Sequence, residues 1–278
     1  MSQPEPLNTQ QLIEKARQLR VDTLRMIHAA KSGHPGGSLS QMEFIVALYY
    51  NKLRHDPLKP SWADRDRFIL SKGHGAPSLY AALIDLGYYA KSELLNLRKL
   101  ESPLQGHPDM RRLPGLEAST GSLGQGLSVG IGIAQSARLD HRDYHTYVLI
   151  GDGEMNEGQI WEAAAYAGFH KMANLTTILD YNKFQLDGAS SEILSMEPVS
   201  EKWQSFGWAV KQVNGHEMSE VLKGIEWARS IKDQPTMIIS HTVKGKGVSF
   251  MENNNHFHGV APTDDELKKA LVELGESS

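Results

Sequence analysis

Residues 148–188 read VLIGDGEMNEGQIWEAAAYAGFHKMANLTTILDYNKFQLDG. An apolar run at 147–150 stops at Gly151-Asp152-Gly153. A helical stretch follows at 157–171, with Ile160, Trp161, Ala164 and Ala165 on it and Gly168 near its end. A second apolar run, 175–179, leads into Asp180-Tyr181-Asn182. This is a strand, a crossover helix and a strand. Such crossovers are right-handed, so the two strands lie parallel with their carboxyl ends on one side. Asp152 and Asn182 therefore sit together at the edge where open α/β sheets bind ligands.

A carboxylate and an amide oxygen on rigid strand ends suit a hard divalent cation such as Mg²⁺, which completes its shell with water and phosphate oxygens. Gly153 lets the backbone come close to a phosphate, and the helix behind it offers free N–H groups. Asp-Gly is also a common turn dipeptide, so GDG alone reads more readily as a plain turn. Asn182 at the matching strand end shifts the reading to Mg²⁺ and a diphosphate.

GDG followed thirty positions after its Asp by Asn resembles the signature of thiamine-diphosphate enzymes, and the form GDGEMNEG…LDYNKFQLDG is similar to that of transketolases. The resemblance implies an α/β thiamine-diphosphate-binding fold, a mainly parallel sheet with helices on both faces. It implies thiamine diphosphate with Mg²⁺, Ca²⁺ or Mn²⁺ substituting, as cofactors. Asp152, Asn182 and the carbonyl of Phe184 would be the metal ligands, Asn182 and Gly153 would also lie against the cofactor, and Leu186 would flank the thiazolium ring.

The whole chain, 278 residues, is 40% hydrophobic and 22% charged, ordinary for a globular protein. A net charge of −4 recommends no nucleic-acid partner. It contains no cysteine, which excludes disulfides, zinc–thiolate sites and thiol nucleophiles. No apolar segment reads as a signal peptide or a membrane span, so the expected location is the cytoplasm. Without a linker or internal repeat, 1–278 is expected to be one domain, with 1–7 a loose lead-in.

In order, helices are expected at 9–30, capped by Asn8 or Thr9, and at 39–51, separated by a loop at 31–37 too rich in glycine for a helix. A short strand at 68–71 ends in Lys72-Gly73-His74-Gly75, and helices follow at 76–86 and 91–100. Residues 101–119 have no regular pattern, and such long runs in compact domains are usually functional. A small-residue helix reaches 138 from Thr120-Gly121-Ser122-Leu123-Gly124-Gln125-Gly126. Beyond the central unit come strands at 208–213 and 236–243, a helix at 219–231 between them, a loop at 244–258 and a last helix at 264–274. TGSLGQG is not a dinucleotide loop, because its glycines are misspaced and follow no strand.

Four histidines, His34, His74, His107 and His258, stand in Gly- or Pro-bearing loops and could donate to phosphate or sugar oxygens. Taken singly, each is more often a surface or structural residue. SGHPG, SKGHG, GHP and the late HG resemble transketolase motifs in the same order. By that resemblance His74 and His258 contact the diphosphate, and His34, His107 and His258 surround the reacting end of the donor sugar as catalytic residues. Gly121 and Leu123 match positions against the aminopyrimidine and thiazolium. Glu157 matches an acidic position near a subunit interface, with a plain helix-start glutamate as the other reading. Lys244 and Lys246 are weak phosphate candidates. His28, His55, His141, His145, His170, His216 and His241 carry no functional expectation.

The resemblance runs from about residue 12 to 275 and stops at the diphosphate-binding part of a transketolase. The pyrimidine-binding domain, with the glutamate that bonds the aminopyrimidine, has no counterpart. The expectation is therefore the N-terminal subunit of a two-chain transketolase, paired with a separate pyrimidine-domain subunit in an α₂β₂ heterotetramer and moving a two-carbon ketol unit from a ketose (phosphate) to an aldose. Its substrates would be sugar phosphates. The loop at 253–258, NNNHFH, departs from single-chain transketolases and leaves the sugar open. The rival readings are another thiamine-diphosphate component, deoxyxylulose-phosphate-synthase-like or of 2-oxo-acid dehydrogenase type, and a non-catalytic remnant that binds cofactor or partner.

Overall fold

The computed structural model describes residues 5–276; residues 1–4 of the expected lead-in lie outside the described residues. Five strands form one sheet: β1 (Arg67–Leu70), β2 (Thr146–Gly151), β3 (Leu175–Tyr181), β4 (Ala209–Asn214) and β5 (Thr236–His241). Their spatial order is β1-β2-β3-β5-β4, and every pairing is parallel. All residues of β1 and β2 are buried, as continuous apolar runs require when helices cover both faces. β4, at the edge, has one buried residue, Val213, the others being half-buried or exposed.

The helices, in chain order, are α1 (Thr9–Ala30), α2 (Pro35–Ser40), α3 (Met42–Ala47), α4 (Ala76–Asp85), α5 (Gln125–Leu139), α6 (Gly158–Phe169), α7 (Ser190–Ile193), α8 (Val199–Ser205), α9 (Met218–Ser230) and α10 (Asp264–Glu273). The chain steps one way across the sheet from β1 to β4 and turns back once to β5, so right-handed crossovers put helices on opposite faces. One core joins α1, α3, α4 and α9 to Tyr147, Leu149, Ile178 and Ile238. The other joins α5, α6 and α8 to Val148, Ile150, Leu179 and Ile239. α10 folds back on α1, where Val21 and Leu24 meet Ala270, Leu274 and Phe257. α1 itself begins with a reciprocal cap: Gln11 N donates to Asn8 Oδ1 at 3.0 Å and Asn8 N to Gln11 Oε1 at 2.9 Å.

Three expectations need correction. The glycine-rich loop does contain a helix, since Pro35-Gly36-Gly37 open α2; proline suits a first helical turn. The glycines there answer to close packing, because a Cβ on Gly36 would fall 3.0 Å from Lys244 Cγ and one on Gly37 3.3 Å from His74 Nε2. The single helix at 39–51 is instead broken at Gln41, whose buried amide donates to Gly75 O and Ser78 Oγ, and it ends in a π turn at Leu48–Lys52. The helix at 91–100 is only a 3₁₀ turn, Lys91–Asn96, with no buried residue to extend it. Two short helices, α7 and α8, fill the stretch after the central unit, and β5 stops two residues short of its expected end.

Gly168 shows why α6 carries a glycine: a Cβ there would sit 1.7 Å from the carbonyl oxygen of Phe206. Gly132 in α5 faces open space. We predict that Gly168→Ala destabilises the chain by at least about 2 kcal/mol through backbone overlap. Gly132→Ala should instead stabilise it by roughly 0.5–1 kcal/mol, the usual helical gain. Urea unfolding of both variants checks this, and equal effects would refute the packing account.

Candidate functional site

All strands point their carboxyl ends at one edge, and the chemistry collects there. Asp152 directly follows β2, and Asn182 directly follows β3. Asp152 accepts from Gly153 N at 2.8 Å and from Ser190 Oγ at 3.2 Å. Burial, and next the charge of Asp180, push its carboxyl up to about 7. Lys72 is the nearest compensation, but its ammonium is committed to Asp180. A buried carboxylate so short of positive charge is suited to a cation. Asn182 Oδ1 accepts from Phe184 N at 3.1 Å, which folds residues 182–184 into a tight turn and brings the Phe184 backbone beside the amide. Among the described residues, no three His, Cys, Asp or Glu side chains gather as a metal site. A cation here would rest on one carboxylate, the Asn182 amide and the Phe184 carbonyl, a set of hard oxygens that fits Mg²⁺.

Lys72, the second residue after β1, carries its charge into the centre of the site. Its ammonium pairs with Asp180, both side chains being 1% exposed, and donates to Gly37 O at 3.0 Å. Asp180 also accepts from Ser40 Oγ, Thr242 Oγ1 and, at 3.2 Å, Asn182 Nδ2. Burial works to raise the Asp180 carboxyl, but Lys72 and these donors outweigh it and hold it below the usual range. Glu154 does a similar tying job one turn past Asp152. It accepts from Gly124 N at 2.9 Å, Gly151 N at 3.1 Å and Ser71 Oγ, so it pins the glycine loop before α5 to the ends of β1 and β2. Lys72, Glu154 and Asp180 were missed from the sequence; each lies close to a strand end, which was the available signal.

The four loop histidines converge. The His34 ring lies 5.4 Å from His74, 6.3 Å from His107 and 5.7 Å from His258, centroid to centroid, and His74 lies 5.5 Å from His258. His34 sits at the start of α2, His74 in the turn after β1, His107 in the patternless segment and His258 in the turn Asn255–His258. Burial lowers all four below the usual histidine range, His34 to about 4 and His258 to about 3, with neighbouring cations adding to it. They are neutral imidazoles at pH 7. His34 Nδ1 is buried with no protein partner among the described residues.

Lys244, 2% exposed, donates to Asn255 Oδ1 at 2.6 Å and to His258 Nδ1 at 2.8 Å. A lysine donor makes Nδ1 an acceptor, so His258 carries its proton on Nε2. Burial brings Lys244 down to about 8, so it stays a cation at neutral pH. Lys246 instead pairs with Glu252 at 3.3 Å.

Gly121, at φ 124°, lets the 120–124 loop lie on His107, where a Cβ would come within 2.7 Å of the ring. Leu123 is half-buried in that loop, and Glu157 is exposed at the start of α6. Gly153 meets Gln185, whose Cβ would be 2.7 Å from a Cβ there, so its smallness admits the 183–188 loop as well as leaving the backbone bare. Leu186 stands 65% exposed on that loop, its carbonyl held by Asn255 Nδ2 at 2.9 Å. Three of the remaining histidines have other work; His145 bonds Thr176, His216 joins Glu43 to Val243 N, and His55 joins Tyr49 O to Tyr88.

A parallel sheet with a carboxylate and an amide oxygen at its strand ends, beside neutral imidazoles and a lysine, fits a class of protein that holds a phosphorylated cofactor. Residues 8–277 match the family model described as transketolase, thiamine diphosphate binding domain. The chain is 44% identical over 263 residues to the 6-deoxy-6-sulfo-D-fructose transketolase subunit of Clostridium sp. (strain MSTE9), covering 95% of this chain and 96% of that one. It is 41% identical to an apulose-4-phosphate transketolase subunit of Phocaeicola vulgatus, covering 95% and 92%. The crystal structure of the Campylobacter jejuni transketolase superposes with a TM-score of 0.91 at 34% identity, over 98% of this chain and 44% of that chain. The chain belongs to the transketolase family, as its thiamine-diphosphate-binding part, and spans under half of that solved transketolase.

The neutral imidazoles give a direct prediction. Imidazole NMR resonances of His34 and His258 should not titrate between pH 8 and 5.5. The buried His145, lowered to about 3 mainly by burial, shows the stability sign. Unfolded histidine takes up a proton near pH 6.5 and the folded one does not, so stability falls as pH drops below that value, by up to about 1.4 kcal/mol per unit for His145. Denaturation midpoints flat from pH 7 to 4.5 would overturn it.

Proposed function

We propose that this chain is the diphosphate-binding subunit of a two-chain transketolase, moving a two-carbon ketol unit from a ketose to an aldose once a separate pyrimidine-domain subunit is bound. The observation that carries it is the gathering of His34, His74, His107, His258 and Lys244 above strand ends that bear Asp152 and Asn182. Two relatives that match this chain end to end are themselves named as transketolase subunits, which supports a partner chain. In this reading two copies of each chain make the assembly, and Mg²⁺ accompanies thiamine diphosphate. Sugar phosphates do not cross bilayers unaided, which carries with it a cytoplasmic location; no helix among the described residues is long and apolar enough to cross a membrane.

Asp152, Asn182 Oδ1 and the Phe184 carbonyl would hold the cation. His74, His258 Nε2–H and Lys244 would meet the diphosphate, Lys244 being the lysine the sequence ranked only as weak. Gly121 and Leu123 on one side and Leu186 on the other would border the rings. When bound, the cofactor supplies the carbon nucleophile that opens the donor ketose. His34 and His107, as neutral donors, would orient the sugar oxygens and hold or return a proton there without adding charge.

Ketol transfer from a ketose phosphate, with thiamine diphosphate and Mg²⁺, tests the reading for this chain alone and with its partner. Silence alone and turnover together is the expected result. Turnover by the single chain would refute the divided site, and silence in both with cofactor retained would favour another thiamine-diphosphate chemistry or a non-catalytic role. In the active pair, Asp152→Ala should lose Mg²⁺-dependent cofactor retention on gel filtration and at least about 100-fold in turnover. His107→Ala should lower kcat/KM by about 10²–10⁴. Unchanged retention in Asp152→Ala would sink the metal assignment.

A further inference from the structure

Asn255 opens the turn Asn255–His258, and its amide is engaged at both ends. Lys244 Nζ donates to its Oδ1 at 2.6 Å, and its Nδ2 donates to Leu186 O at 2.9 Å. An ammonium only donates and a carbonyl only accepts, so the two partners fix which way the amide faces. A carboxylate in its place could serve the lysine but not the carbonyl. The turn that presents the amide is firm. Phe257 is buried in one core with Val21, Leu24 and Met251, and Asn254 Oδ1 accepts from His256 N at 3.1 Å.

On its far side the amide holds a tongue. Residues 183–190 double back on themselves: Ser190 N donates to Lys183 O and Gln185 N to Gly188 O, both at 2.9 Å, and Phe184 pairs antiparallel with Ala189. Lys183 leads the chain into it with a left-handed backbone, φ 67°. At the tip, 185–188, every other hydrogen bond among the described residues is internal, Asp187 N to Gln185 Oε1 at 3.1 Å included. The bond from Asn255 is thus the one that ties the tip to the body of the chain. The other contacts are packing ones, Gln185 against Gly153 and the Phe184 ring 5.5 Å from Lys244 Nζ.

Lys244 has three N–H groups, and among the described residues Asn255 and His258 Nδ1 take two of them. The third is left for an outside oxygen. The tongue carries the Phe184 carbonyl at its base and Leu186 at its tip. One amide therefore joins the cation beside the diphosphate position to the loop beside the ring position.

We propose that Asn255 is a positioning residue that latches the 183–190 tongue to Lys244, so that the diphosphate contact and the loop beside the rings are held as one unit. This rests on the cofactor placement given above. Asn255 need not touch the cofactor; it acts through Leu186 and Lys244.

Hydrogen exchange of this chain and cofactor binding by the reconstituted pair test it together. In cofactor-free Asn255→Ala the amides of 183–190 should exchange about fivefold faster, as the loss of one hydrogen bond allows, while α1 exchanges as before. With Mg²⁺ present, equilibrium dialysis should show the Kd of thiamine diphosphate raised about 3–10-fold. The Kd of pyrophosphate, which reaches only the diphosphate end, should stay within about twofold, because Lys244 keeps its charge and its bond to His258. Asn255→Asp, which retains the acceptor and loses the donor, should free the tongue equally and, by neutralising Lys244, weaken pyrophosphate as well. Asn255→Gln, which carries both groups, should recover part of the thiamine diphosphate affinity. Unchanged exchange at 183–190 overturns the latch. Faster exchange with unchanged thiamine diphosphate affinity, or equal losses of thiamine diphosphate and pyrophosphate in Asn255→Ala, overturns the positioning role. Should the wild-type pair bind cofactor yet turn over no sugar, the ketol-transfer reading fails by itself and the same outcomes decide Asn255. Should it bind no thiamine diphosphate, the cofactor placement fails and takes the positioning role with it.

Discussion

The arrangement of the whole site hangs on the ion pair between Lys72 and Asp180, buried at the sheet edge. Through Asp180 it gathers Ser40 from α2, Thr242 from beyond β5 and the Asn182 amide, and through Lys72 it holds Gly37 O. Pairs of this kind contribute little net stability compared with apolar packing of the same volume, because both ions give up their hydration. What the pair contributes is position. With Nδ2 of Asn182 turned to Asp180, Oδ1 is the atom that accepts from Phe184 N, so the orientation of the Asn182 amide is decided by a buried residue behind it. Glu154 repeats the device on the other side of Asp152, joining three loops through one carboxylate.

The electrostatics follow the same economy. The chain as a whole is acidic, with a net charge of −4, yet the cleft is lined by neutral imidazoles and a few cations. Lys72 is neutralised by Asp180, so the free positive charge near the cleft comes from Lys244 inside and Arg98 at the rim. Attraction for an anion is therefore local, set by donors at fixed points, and not a broad basic field. Neutral histidines also leave room for a diphosphate and its cation to bring their own charges without repulsion from imidazolium groups.

Much of this was legible in the sequence, for physical reasons that differ by element. The central unit was readable because buried parallel strands must be continuously apolar and because a crossover must end where it does; β2, α6 and β3 fall where the pattern put them. The four histidines could be chosen from twelve only by resemblance to family motifs, and the structure brings those four together. α2 was hidden because glycine reads as a loop signal, while here it serves close contacts with Lys244 and His74 that exist only in three dimensions. Lys72 and Asp180 lie 108 positions apart, and nothing in the local pattern of either announces the other.

The histidine group draws on residues 34, 74, 107 and 258, so its members come from nearly the full span of the chain. Contacts so distant in sequence are closed late, after the loops between them have been gathered. During synthesis the βαβ unit can form its strands while the end of the chain is still inside the ribosome, but the ring of imidazoles cannot close until residue 258 has emerged and Lys244 has taken hold of it. A ligand that needs all four rings therefore binds only molecules in which the chain has folded through residue 258. By mass action it then protects those molecules from unfolding and proteolysis. The histidine group of this chain would thus report that the segments carrying its four rings have folded together.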